Sequence, residues 1–326
     1  MGYNSDIYRR IREEYDTKYL RAREAADLRR SEIHLLIPEV VELDREMNGT
    51  GLAIMKVAME GGDYEGKLAE LRARNEDLRR QRGILLAAKG YPADYTEVKY
   101  DCPLCGDTGY VDCKMCKCMR QKLTKAGIEA SGMATLIESQ SFDNFSLDYY
   151  MDSPASHQAM THTLANCRRY AEEFEAGKSV SFFFMGGTGL GKTHLSSAIA
   201  RVVIERGYDV FYNSAVGLLS DFEYQRFGNG LTEEAGQGTS RYFDCDLLII
   251  DDLGTEINNQ FSSSVLYHLI NTRLNRRQST IISTNLSQTD FRKMYWDRIT
   301  SRVLGEYRVI PFYGVDVRAQ RLKKKK

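Results

Sequence analysis

Between Ser5 and Met47, apolar residues fall at helical spacing: Ile7, Ile11 and Tyr15, then Ile33, Ile37, Val40, Leu43 and Met47, with Arg and Glu between them. The pattern predicts one or two amphipathic helices, with Pro38 marking a kink or a restart. "NGTG" at Asn48 to Gly51 is expected to break the helix, and "GLAIMKVAMEGGD" to add a short apolar helical turn that stops at a glycine pair. A charged helix from Tyr64 to Lys89 follows, with Leu68, Leu71, Leu78 and Leu85 on its apolar stripe and Gly90 as its C-terminal stop. The front third therefore reads as a helical hairpin without a catalytic motif. Its charged faces suit solvent, and its stripes suit a docked partner equally well.

From about Ser153 the rhythm changes to alternating helix and strand. A helix runs through Leu164 to Phe174, followed by the strand "VSFFFMG", the helix "THLSSAIARVVIERG" and the strand "YDVFYNS". Then come "DLLIID", the helix "SSSVLYHLINTRLNRR", "TIISTN" and a last strand "YRVIPF". Short, nearly continuous apolar strands flanked by helices predict a parallel sheet covered on both faces, an α/β fold. Between the two regions, "MRQKLTKAGIEASG" reads as a helix with a basic start, and "SFDNFSLDYY" (Ser141 to Tyr150) as an aromatic-rich connection. The boundaries predicted are a helical domain over 1–100, a cysteine loop over 101–120, a linker over 121–150 and the α/β domain over 151–326.

The 326 residues are enough for two domains with a real core. Net charge is zero with 28% charged residues, so any nucleic-acid contact must come from a local basic patch, such as Arg292, Lys293 and the terminal lysines. Charges stand where a secretory segment would be apolar, and no apolar run reaches membrane-spanning length, so the reading is a cytoplasmic protein without membrane contact.

"GGTGLGKT" (Gly186 to Thr193) fits G-x-x-x-x-G-K-[ST], directly after an apolar strand and directly before a helix, as phosphate binding requires. Gly186, Gly189 and Gly191 free backbone N–H groups to wrap phosphate oxygens at a helix N-terminus. Lys192 would reach the outer phosphates, and Thr193 would hold Mg²⁺ through its hydroxyl. Some sixty residues on, "DLLIIDDLG" delivers Asp251 and Asp252 to the C-terminal edge of the sheet, the first suited to Mg²⁺ and the second to polarising water. That acidic pair alone is weak evidence; with the glycine loop it is strong. "STIISTN" places Asn285 at a strand end, where it either stands beside the outer phosphate or simply makes a turn. "DRITSRV" sets Arg298 and Arg302 four apart on one helical face, and "GVDVR" adds Arg318. Arginines like these are usually just solvated.

"CPLCGDTGYVDCKMCKC" concentrates Cys102, Cys105, Cys113, Cys116 and Cys118, five of seven cysteines. In a reducing compartment such paired cysteines point to structural Zn²⁺ rather than disulfides. Cys102 and Cys105 form one knuckle. The second is either Cys113 with Cys116 or Cys116 with Cys118, and spacing alone favours the former. Cys167 and Cys245 read as small core residues.

In order, "GGTGLGKT", "LLIIDDLGTE", "ISTNL", "RITSRV" and "GVDVR" resemble the AAA+ ATPases of the bacterial helicase-loader group, DnaC and DnaI, and their relative IstB, from about Ser141 onward. The resemblance implies an ASCE P-loop sheet with a reduced lid, with ATP, Mg²⁺ and Zn²⁺ as cofactors. It implies nucleotide contacts from Gly186, Gly187, Thr188, Gly189, Leu190, Gly191, Lys192, Thr193 and His194. Asp251 and Asp252 become Walker B, Asn285 sensor 1, Arg302 the arginine finger with Arg298 beside it, and Arg318 sensor 2. It also favours Cys116 and Cys118 as the second knuckle, with Cys113 spare or a substitute.

The implied function is an ATP-driven loader of the hexameric replicative helicase, binding single-stranded DNA, self-assembling with ATP and hydrolysing it with an arginine supplied in trans. The alternatives are a transposition helper delivering a transposase and a zinc-containing nucleotide-switched adaptor. Two departures from the AAA+ pattern stand out. Asp252 replaces the common Glu, which predicts slow turnover, and the sequence ends eight residues after Arg318, which predicts weak ring assembly.

Overall fold

A computed structural model describes residues 4–60, 64–227 and 233–324. By contact the chain divides into two compact units, Arg12–Cys118 and Met1–Ile11 with Met119–Lys326. The first holds most of α1 (Ser5–Leu36), then α2 (Pro38–Glu60), α3 (Tyr64–Ala88) and a hairpin of β1 (Tyr110–Val111) and β2 (Lys114–Met115). Pro38 does restart the helix. "NGTG" does not break it, because α2 runs on through Asn48–Gly51. The Thr50 hydroxyl donates to the Met47 carbonyl at 2.8 Å and accepts from Asn75 of α3 at 2.7 Å. Packing of α2 on α3 thus outweighs the roughly 1 kcal/mol that each helical glycine costs. The glycine pair expected to stop this helix lies outside the described residues.

Among the described residues of this unit, Ile33, Ile37, Val40 and Leu86 form one buried cluster, with Leu85, Tyr91 and Tyr95 against it. Beside it a polar knot ties the three helices and the loop after α3. Asp44 accepts from Arg82 at 2.6 Å and contacts His34 at 2.8 Å, while Arg82 also donates to Thr96 at 2.6 Å.

The second unit follows in chain order. It comprises α4 (Lys117–Ala130), whose first two residues belong to the other unit, α5 (Ala134–Ser139), a 3-10 turn (Leu147–Tyr150), α6 (Pro154–Glu173), β3 (Phe182–Met185), α7 (Lys192–Glu205), β4 (Val210–Ser214), α8 (Ala215–Phe227) and α9 (Glu233–Asp244). Beyond these lie β5 (Leu247–Leu253), α10 (Gln260–Asn275), β6 (Ser279–Thr284), α11 (Gln288–Met294), α12 (Asp297–Glu306), β7 (Arg308–Pro311) and α13 (Val317–Lys324). The strands form one fully parallel sheet in the order β4-β5-β6-β3-β7. Alternate side chains feed two cores: Phe182, Phe184, Ile249 and Ile281 enter one, and Phe183, Leu248, Ile250 and Ile282 the other. This is the α/β sheet covered on both faces that the sequence predicts.

Residues 121–150 are not a free linker. Met133, Ile137, Phe142, Phe145 and Tyr150 are buried in the first of those cores, against β3 and α7. The reason is chemical: the segment carries a large apolar side chain every few residues, and burying them outweighs chain freedom. Arg273, fully buried, is saturated by the Thr280 hydroxyl and the carbonyls of Tyr242, Cys245 and Ser279. Among the described residues no helix is long and apolar enough to cross a membrane.

Burial alone would raise the Asp44 pKa, but Arg82 and His34 together hold it below its ordinary 3.8. A depressed carboxylate contributes stability above its unfolded pKa and loses it as pH falls through the folded value. Urea midpoints followed by circular dichroism should therefore drop below about pH 4, and Asp44→Asn should flatten that drop. An identical acid profile in the variant would contradict the assignment.

Candidate functional site

The C-terminal ends of β3, β5 and β6 converge on one cavity. The loop after β3 enters α7 through Gly191, whose φ of +85° puts the N-cap in the left-handed region. A Cβ there would stand 2.8 Å from the Phe145 ring and 2.9 Å from the Tyr150 hydroxyl, so only glycine fits. Lys192 is buried, and its ammonium donates at 2.7 Å to each of the Gly186 carbonyl, the Gly187 carbonyl and Asn285 Oδ1. Burial lowers its pKa, opposed by the charges of Asp252 and Asp251.

Asp251 is held from several sides. The Thr193 hydroxyl donates to Oδ2 at 2.8 Å, the Tyr212 hydroxyl donates to the same oxygen at 3.1 Å, and Ser283 donates to Oδ1. The register between β5 and β6 shifts between Ile250 and Leu253, and Asp252 takes φ +54° at that irregularity. The bulge re-aims the side chain into the cavity, where Asn285 Nδ2 donates to its Oδ1 at 3.2 Å. Lys192, Asn285 and Asp252 are thereby joined in one chain of hydrogen bonds.

The opposite wall comes from the aromatic segment read as a connection. Phe145, Tyr149 and Tyr150 line the cavity with Gln140, and the Tyr150 hydroxyl donates to the Leu190 carbonyl at 2.9 Å. His194 sits with its ring edge on Phe145 and its Nε2 2.8 Å from the Ser141 carbonyl; burial lowers its pKa, which favours the neutral ring. Thr188, Gly189, Leu190 and Thr193 also line the cavity, as do Arg318 and Arg321 of α13. Arg298 and Arg302 are not among its lining residues. Arg298 is exposed on α12, and the Arg302 guanidinium lies 5.5 Å from the centre of the Tyr267 ring on α10.

Sequence reasoning missed Tyr212, Ser283, the aromatic wall and Arg321. The density of Phe and Tyr over Ser141–Tyr150 was the one available signal. Tyr212 and Ser283 become visible only once β4, β5 and β6 are side by side.

In the helical unit, the sulfurs of Cys102, Cys105, Cys116 and Cys118 all lie within 4.8 Å of one another. Cys102 and Cys116 are 3.9 Å apart, Cys105 and Cys118 3.6 Å. A zinc–thiolate tetrahedron with bonds of about 2.3 Å has edges of about 3.8 Å, so the cluster fits a four-coordinate metal. Asp112 and Cys113, at φ +48° and +61°, are the two central residues of the β1–β2 turn, which leaves Cys113 exposed. That turn is why the spacing argument for Cys113 fails. The Asp107 carboxylate accepts the N–H groups of Asp101 and Cys102 at 2.8 Å each, fixing the first knuckle. The backbone of Cys105 draws the Cys102 thiol down to about 7, whereas burial pushes Cys118 up to about 12.

The sequence profile of the family described as IstB-like ATP binding protein matches residues 120–323. The replicative helicase loader DnaC of Escherichia coli K12 is 26% identical over 173 residues, covering 53% of this chain and 66% of the relative. The DnaC of Buchnera aphidicola subsp. Acyrthosiphon pisum is 28% identical over 174 residues, with the same coverage. The chain thus spans just under two thirds of the length of these relatives. Among solved structures, the DnaC helicase loader aligns at 21% identity with a TM-score of 0.45, over 53% of this chain and 98% of that one. DnaI aligns at 18% with a TM-score of 0.44, over 56% and 92%.

Gly191→Ala should cost about 2 kcal/mol, since its Cβ must displace Phe145 and Tyr150 from a packed wall. Chemical denaturation reads this directly; wild-type stability in the variant would show that the wall is loose.

Proposed function

Because the chain belongs to the family of IstB-like ATP binding proteins, we propose that it binds ATP with Mg²⁺ in this cavity and serves as a loader of the replicative helicase in DNA replication, a cytoplasmic task. The observation that carries the reading is the convergence of Lys192, Thr193, Asp251, Asp252 and Asn285 at one sheet edge, in a chain similar to DnaC. The loop N–H groups and Lys192 would hold the phosphates, and Thr193 and Asp251 the Mg²⁺. The metal, when bound, neutralises charge developing on the phosphates. Asp252 orients the attacking water and takes its proton, while Asn285 fixes the Asp252 carboxylate. Arg318 reads the outer phosphate from α13. A shorter carboxylate than Glu holds water less tightly, so turnover is slow.

Arg302, with Arg298 beside it, acts on a neighbouring copy. Its place against Tyr267, apart from the cavity lining, supports that reading, and self-assembly with ATP follows from it. Arg292 and Lys293, both exposed, contribute phosphate contacts to single-stranded DNA. The helical unit grips the helicase. Four thiolates leave zinc no open position, so Cys102, Cys105, Cys116 and Cys118 hold a structural ion. The likeness to IstB supports one second reading, a transposition helper using the same ATPase unit to deliver a transposase to DNA.

Native mass spectrometry of the full chain with the host helicase hexamer tests the proposal. A hexamer carrying several copies with ATP, and fewer with ADP, is expected; no complex with either nucleotide would sink the loader reading and favour the transposition helper. The same spectra should show one zinc in the wild type and in Cys113→Ser, but none in Cys116→Ser. Zinc retained by Cys116→Ser and lost by Cys113→Ser would reverse the ligand set.

A further inference from the structure

The motif "GVDVR" contains, besides Arg318, an aspartate that the proposed chemistry leaves unused. An α-helix begins with N–H groups that lack intrahelical partners, and in α13 those of its first three residues are all taken up before the first intrahelical bond. Val317 N–H donates to the Gly189 carbonyl of the phosphate loop at 3.0 Å. Those of Arg318 and Ala319 donate to Asp316 Oδ1 at 2.7 and 3.3 Å. That of Gln320 donates to the Asp316 carbonyl at 3.1 Å. Asp316 is thus the N-cap, and the first N–H of the helix is given to the phosphate loop.

The contact is also steric. Gly189 has φ +74°, and a Cβ placed on it would stand 2.0 Å from Asp316 Oδ1 and 2.9 Å from Oδ2. The carboxylate occupies the space that a side chain on the loop would need. At the other side of α13, Gln320 Nε2 donates to the Tyr149 carbonyl at 2.9 Å, and the Arg321 guanidinium lies 5.2 Å from the Tyr149 ring centre. The helix is therefore pinned at both the phosphate loop and the aromatic wall. Arg318 and Arg321, three apart, face the cavity between them.

We infer that Asp316 is a positioning residue: by capping α13 and seating its carboxylate on Gly189, it fixes Arg318 over the phosphate loop, so that loop and arginine respond to nucleotide as one body. The inference rests on the nucleotide reading above. It assigns to Asp316 and to the Val317 N–H the ATP-over-ADP discrimination that Arg318 delivers.

Binding of fluorescent ATP and ADP analogues to the full chain tests it. Asp316→Ala should weaken ATP about fivefold, the scale of a lost N-cap, and leave ADP unchanged. Asp316→Asn, which caps equally well, should bind as wild type does. Val317→Pro keeps a residue suited to the first helical turn but removes the donor to Gly189, so it should reproduce Asp316→Ala with the helix intact. In Arg318→Ala, adding Asp316→Ala should cost nothing more, because both changes remove one interaction. Wild-type ATP affinity in Asp316→Ala and Val317→Pro would overturn the inference. So would equal losses for ATP and ADP that add to those of Arg318→Ala, the mark of a merely structural cap. A wild type that binds neither nucleotide would instead overturn the nucleotide reading, and the inference with it.

Discussion

Everything at the sheet edge depends on how Asp251 is held. Its two oxygens collect hydroxyl groups from Thr193 at the start of α7, Tyr212 of β4 and Ser283 of β6, so one carboxylate ties a helix and two flanking strands to its own strand. A carboxylate with 3% of its residue exposed would be costly without such donors. Lys192 is satisfied in the same way, by two loop carbonyls and Asn285. The buried charges of the site are thus satisfied by the protein's own groups. In the proposed reading, phosphates and a cation would exchange one set of hydrogen bonds for another, the basis of a two-state switch.

The strand order makes this exchange felt widely. Because β6 lies between β5 and the phosphate-loop strand β3, Ser283 near its end and Asn285 just after it stand between the acidic pair and the lysine. Any change at Lys192 passes through Asn285 to Asp252. The helical unit has a different economy. Among the described residues its clustered core is Ile33, Ile37, Val40 and Leu86, with Tyr15, Ala26 and Leu78 also buried. In the proposed reading, zinc held by Cys102, Cys105, Cys116 and Cys118 would add a constraint by closing that loop, as small cores commonly use.

What the sequence made legible follows from where the information lies. The glycine loop, the acidic pair and the sheet are written in short, contiguous runs whose spacing the backbone enforces, so they could be read without coordinates. The left-handed turn at Asp252, the hydroxyls of Tyr212 and Ser283 and the salt-free burial of Arg273 arise only when distant strands meet. "NGTG" misled because local propensity was judged without the Asn75 partner on α3. The segment 121–150 misled because turn-rich, aromatic sequence looks alike whether it links domains or walls a cavity. Cys113 misled by spacing: a repeat of C-x-x-C cannot reveal that a two-residue turn points its first cysteine outward.

The central claim is that the cavity of one copy is completed for hydrolysis by an arginine from another. Its most direct test is the steady-state ATPase rate of a mixture of Asp252→Asn and Arg302→Ala chains, each inactive alone. The account predicts that mixing restores activity, since an intact cavity on the second can meet an intact arginine on the first. A mixture as inactive as its components, with both variants still binding ATP, would contradict it.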